Sequence, residues 1–66
     1  MVFKINKGPN KGRLVVVVVR CKDSLDDVNV MLVDKENGPL IELNTGKPIL
    51  EDLSTVSVKS LTLFGV

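Results

Sequence analysis

The chain has 66 residues with nine basic and eight acidic side chains, a formal net charge of +1, no histidine and a single cysteine. A domain of this size buries only about 60% of the surface its unfolded chain exposes. With Cys21 alone, neither an internal disulfide nor a Cys/His zinc cage supplements the core, so burial within one domain spanning residues 1–66, or association with another surface, must stabilise the fold.

Twelve valines and nine leucines dominate the apolar set, and alanine is absent. Valine's branched Cβ is stiff in a helix and fits a pleated surface, so the composition predicts a β-rich chain. Val2 to Ile5 reads as a first strand, ended by the Gly/Pro/Asn cluster NKGPNKG at 6–12. Arg13 to Lys22 reads as a long second strand. Its faces are expected to be Val15, Val17, Val19 and Cys21 towards the core, with Leu14, Val16, Val18, Arg20 and Lys22 outwards. The polar stretch DSLDD at 23–27 reads as a loop or one helical turn, and Val28 to Asp34 alternates as a third strand, with Val28, Val30 and Leu32 on one face and Asn29, Met31 and Val33 on the other.

Asn37-Gly38 is the strongest hairpin signal, because both residues tolerate positive φ, and Pro39 then opens a fourth strand, Leu40 to Leu43. NTGKP at 44–48 turns the chain again. PILEDL at 48–53 begins with proline and carries acids in its first turn, which predicts one helical or 3₁₀ turn with Ile49 and Leu53 on one side. Thr55 to Phe64 is the expected last strand. Its apolar phase slips between Val56/Val58 and Leu61/Leu63, which predicts a bulge near Lys59-Ser60. The expected architecture is therefore all-β: a small five-stranded SH3-like barrel with one short helical turn before the last strand. An OB-like barrel and an open sheet are the alternatives.

The motifs exclude more chemistry than they support. GPNKGR at 8–13 lacks the spacing and the following Ser/Thr of a phosphate loop, and a strand follows it in place of a helix. The acid pairs Asp26-Asp27 and Glu51-Asp52 are sequence neighbours that do not face one another, and Asp23, Asp26 and Asp27 lack a calcium-loop pattern. Cys21 has no histidine to act as its base, so a small core residue is the expected role. No enzymatic activity, metal, cofactor or small-molecule substrate is expected.

Charge is distributed unevenly. Residues 1–22 hold six basic residues and no acid, while residues 23–66 hold three basic and all eight acidic ones. Lys4, Lys7, Lys11 and Arg13 are accordingly candidate nucleic-acid contacts. Against this, the only aromatics, Phe3 and Phe64, are both expected in the core, which leaves no stacking platform for bases. The outward face of the second strand points more directly to a partner. Leu14, Val16, Val18, Arg20 and Lys22, joined by Met31 and Val33, form an apolar surface with a basic rim that a barrel this small has nothing of its own to cover.

The expected function is a non-enzymatic module that binds, bridges or inhibits a macromolecular partner, as a homodimer or within a larger assembly. A basic nucleic-acid-binding barrel and a structural homo-oligomer subunit are the alternatives. No segment reaches the ~18 apolar residues of a membrane span and none reads as a secretory leader, so a cytoplasmic location is expected. The short length suits an accessory protein of a compact genome such as a phage's, acting inside the host cell.

Overall fold

A computed structural model describes residues 1–21, 23–42, 44–50 and 53–65. Five strands, β1 (Val2–Ile5), β2 (Leu14–Arg20), β3 (Asp27–Leu32), β4 (Leu53–Ser57) and β5 (Leu61–Leu63), form one antiparallel sheet in the order β4-β3-β2-β1-β5. The only helical elements among the described residues are two 3₁₀ turns, Lys35–Asn37 and Val58–Ser60. No helix among the described residues is long and apolar enough to cross a membrane.

The sheet is strongly curled but not closed. β4 and β5 occupy its two edges, which four strand spacings would hold about 19 Å apart in a flat sheet. They are nevertheless joined through Val58–Ser60 alone. A chain that short reaches across only if the sheet bends, and two backbone bonds fix the bend: the Val58 amide donates to the Asp26 carbonyl (2.7 Å) and the Asn6 amide to the Ser60 carbonyl (2.8 Å). Among the described residues no ladder links β4 to β5, so the architecture is an open five-stranded sheet.

Cross-strand register explains which residues fill the concave side. Phe3, Val15 and Leu32 lie opposite one another across β1, β2 and β3, and Val28 lies opposite Val56 across β3 and β4. Residues opposed in a ladder share a face. The core is Ile5, Val15, Val28, Val30, Leu32, Leu40 and Val56, with Phe3, Ile49 and Leu61 packed against it. The alternation expected of β3 is present, with Val28, Val30 and Leu32 all buried.

Leu40 reaches the core from a loop, and polar contacts hold that loop in place. The Asn10 side chain, only 3% exposed, pairs with both backbone groups of one residue. Its Nδ2 donates to the Ile41 carbonyl (2.6 Å), and its Oδ1 accepts from the Ile41 amide (2.8 Å). Arg13 donates from Nε to the Asp34 carboxylate (3.2 Å), from Nη1 to the Pro39 carbonyl and from Nη2 to the Gly38 carbonyl. Asp34 also accepts from the Leu14 amide (3.1 Å). Beyond Leu40 the chain makes a small hairpin: Ile41 bridges Pro48, and the Ile49 amide donates to the Leu40 carbonyl (2.6 Å).

Four expectations are corrected. Asn37-Gly38 is not a two-residue hairpin: Lys35–Asn37 form a 3₁₀ turn, and only Gly38 takes positive φ (86°). The stretch from Leu40 bridges Pro48 at one residue, Ile41, instead of forming a strand, and Leu43 lies outside the described residues. Of the turn expected over 48–53, residues 48–50 are not helical, Leu53 is in β4, and Glu51 and Asp52 lie outside the described residues; the 3₁₀ turn before the last strand is Val58–Ser60. The phase slip near Lys59-Ser60 is that turn, which carries the chain from one sheet edge to the other, so the expected single strand 55–64 is two strands.

Two expected outcomes follow. Leu40→Ala should cost about 2–5 kcal/mol, as much as a core this size supplies in total, so the variant should be largely unfolded by circular dichroism at 25 °C. The Asp34 carboxyl is raised by burial, but the Arg13 hydrogen bond, the Leu14 amide and the Arg13 charge outweigh this and leave it below its ordinary value. Asp34 therefore adds stability that is fully present above about pH 4, where the unfolded carboxyl is ionised, and is lost as pH falls through the lowered folded value. Urea unfolding across this range should show Asp34→Asn weaker than wild type at neutral pH, with a flatter decline in acid.

Candidate interaction face

The convex side of the sheet carries a row of apolar side chains at a single level of the register. Val2 lies opposite Val16, Val16 opposite Met31, and Met31 opposite Leu53, which crosses β1, β2, β3 and β4. Phe64 extends the row past β1: its amide donates to the Val2 carbonyl (2.9 Å), and its ring lies beneath the Lys4 ammonium, 5.3 Å from ring centroid to Nζ. Met31, Leu53 and Phe64 are exposed, and Val2 and Val16 are half-buried by their neighbours. Leu14, opposite Lys4, and exposed Val33, whose amide donates to the Leu14 carbonyl (3.0 Å), continue the surface towards one end of the strands.

Four of the residues expected on this face are therefore together: Leu14, Val16, Met31 and Val33. The other three are not. Val18 is the extra residue of a β-bulge, since Val17 lies opposite Val30 while Val19 lies opposite the next residue, Asn29. One inserted residue reverses the alternation beyond it. Arg20 thus lies opposite buried Val28, away from the end of the apolar row, and Lys22 lies outside the described residues.

The same reversal moves Val19 and Cys21 off the expected core face. Val19 is exposed, and the Cys21 thiol donates to Asn29 Oδ1 (3.5 Å), which also accepts from the Thr55 hydroxyl (2.7 Å). Val17 keeps the core phase but is exposed, because the ladder between β1 and β2 ends at Val2–Val16.

The basic candidates separate as well. Arg13 has 15% of its side chain exposed and is held by Asp34 and two carbonyls, so it serves the fold and is not free to contact phosphates. Lys4 stands on the outer face with Phe64, and Lys7 and Lys11 are exposed on the 6–12 loop. Phe64 was expected in the core and lies outside it, whereas Phe3 packs against the core as expected.

Three members of the row, Val2, Leu53 and Phe64, were not expected on this face. Strand alternation in Leu53–Ser57 carries the signal for Leu53, because Val56 faces inward and Leu53 and Thr55 then face outward. Beyond β4, an open depression of about 460 Å³ is lined by Glu42, Asn44, Ile49, Leu53, Ser54 and Thr55.

No protein-family model, curated protein or solved structure matches the chain.

The face and the core should respond oppositely to charge. Met31→Glu, on the exposed side of β3, should leave the fold and melting temperature nearly unchanged, with an effect within about 0.5 kcal/mol. Val30→Asp, one residue along and fully buried, places an unpaired carboxylate in the core and should unfold the domain by circular dichroism.

Proposed function

We propose that the protein is a non-enzymatic interaction module that docks on a macromolecular partner through the convex face of its sheet. One observation carries this reading: among the described residues, exposed Met31, Val33, Leu53 and Phe64 stand together with half-buried Val2, Leu14 and Val16 on that one face. Soluble monomers rarely leave contiguous apolar surface uncovered, and a patch of this kind marks an interaction site. Met31 at the centre of the row adds an adaptable, polarisable side chain suited to such a surface.

The strand order β4-β3-β2-β1-β5, with a 3₁₀ turn between β4 and β5, supports the finer architectural reading of an SH3-like half-open barrel. The absence of histidine and tyrosine from the chain supports a role without catalysis. Binding of nucleic acid is the second reading, and Lys4 over Phe64 favours it, since a cation beside an exposed ring is a minimal platform for a stacked base.

Native co-purification from the producing cells separates the two. Met31→Glu and Val33→Glu should each remove the protein from its complexes while leaving it folded, and the double variant Lys7→Glu/Lys11→Glu should retain them. Loss with the lysine variant alone, together with retention that falls steeply as salt rises, would replace the apolar-face reading with the nucleic-acid one.

A further inference from the structure

The open sheet ends in free strand edges, and the phase of its ladders shows which backbone groups they offer. The Val58 amide donates to the Asp26 carbonyl, and bonded pairs in an antiparallel ladder recur at every second residue. Val56 with Val28 and Ser54 with Val30 are therefore the pairs that bond β4 to β3. The N–H and C=O groups of Leu53 and Thr55 point the other way, out of the sheet, and among the described residues nothing bonds to them.

The other free edges carry devices that discourage a further strand: shortness, charge or a bulge. β5 has three residues, and the part of β2 beyond Val16 holds the bulge at Val18 and ends in Arg20. β4 has none of these. Its register runs unbroken over five residues that include no charge and no proline.

The depression of about 460 Å³ lies along this same edge. Leu53, Ser54 and Thr55 are consecutive, and consecutive side chains of a strand point to opposite faces. One hollow that touches all three reaches them along the edge between those faces. Glu42, Asn44 and Ile49, from the hairpin in which Ile41 bridges Pro48, line its far side.

Unpaired donors and acceptors at strand spacing are the complement of an extended peptide. The far wall decides what kind. β4 of a second copy would bring β3 with it, into the place where that wall stands, so the occupant is a segment with no sheet attached. Exposed Glu42, whose Oε2 accepts from the Thr45 hydroxyl (2.7 Å), favours a basic side chain in that segment.

We propose that the free edge of β4 at residues 53–55 binds an extended segment of another protein, carrying a basic residue towards Glu42, as a sixth strand. This site goes beyond the convex face and does not depend on it.

Random displayed peptides selected on the wild-type protein are the probe. Those retained should alternate apolar residues and carry lysine or arginine. One of them, made synthetically, should slow hydrogen exchange at the Leu53 and Thr55 amides. Thr55→Pro removes a donor from the free edge and none from the ladder with β3, so it should stay folded and weaken that peptide about ten-fold. Methylating alternate backbone nitrogens of the peptide, in one of the two possible phases, should do the same with the protein unaltered. Glu42→Lys should weaken binding about two- to five-fold, the range of an exposed ion pair. Val33→Glu, on the convex face, should leave it unchanged.

Retention of no peptide, equal retention by folded Thr55→Pro, or indifference to methylation in both phases overturns the proposal. So does protection of the Leu53 and Thr55 amides without peptide that grows with protein concentration, because a second copy then occupies the edge. If Thr55→Pro does not fold, the methylated peptides decide. Cellular complexes that survive Val33→Glu while the peptide still binds overturn the convex-face reading and leave the edge site standing.

Discussion

One carboxamide holds the two halves of the molecule in register. Asn10, buried in the 6–12 loop, supplies both a donor and an acceptor to Ile41, as a neighbouring strand would, and so extends the sheet's pattern of bonding to a segment that is not a strand. Ile41 follows Leu40, which among the described residues is the one fully buried core side chain contributed by a loop. Without that pairing, two part-buried backbone groups would lose their partners and Leu40 would lose its anchor. Arg13 completes the restraint three residues further on by gathering Asp34, Gly38 and Pro39 around one guanidinium. With seven core residues among those described, the domain depends on every one of them, so this short polar segment has a leverage on stability out of proportion to its size.

The parts legible in the sequence are those in which one residue type at one spacing has one physical meaning. β1 lies where the turn cluster ended it, and β3 alternates as Val28, Val30 and Leu32 require. The five valines of β2 defeat the same method, because an identical run reads the same in either phase and conceals the inserted Val18. The slip after Val58 was visible, but a bulge and a 3₁₀ turn shift the phase alike. What separates them is the sheet edge on which the chain resumes, and that is a property of the whole fold. Asn10 resembled an ordinary loop residue and Arg13 a cation free to meet phosphate, because their partners lie 21 to 31 positions away.

The candidate face was legible in its centre and not at its margins. Val16 and Met31 followed from alternation on two strands that pair, and Leu14 and Val33 lie beside them. The basic rim expected from Arg20 did not survive the bulge, and the lysine actually beside the row, Lys4, belongs to a different strand and the opposite end of the sheet. The charge asymmetry of the chain thus has two outcomes: Arg13 is neutralised inside the fold by Asp34, whereas Lys4, Lys7 and Lys11 remain on the surface.

The pairing of β1 with β5 also bears on how the molecule is made. Phe3 must wait for Leu63, sixty residues later, before its strand has a neighbour on that side. Contacts of such long sequence separation slow folding, since the entropy of closing the loop is lost before the contact returns anything. β2 and β3 have their partners far earlier, so an incomplete chain on the ribosome presents a valine-rich hairpin whose sheet lacks β4 and β5. Phe64, the last member of the apolar row, comes after β5 in the chain. The apolar row is therefore complete only once β5 has paired with β1 and Phe64 has bonded to Val2.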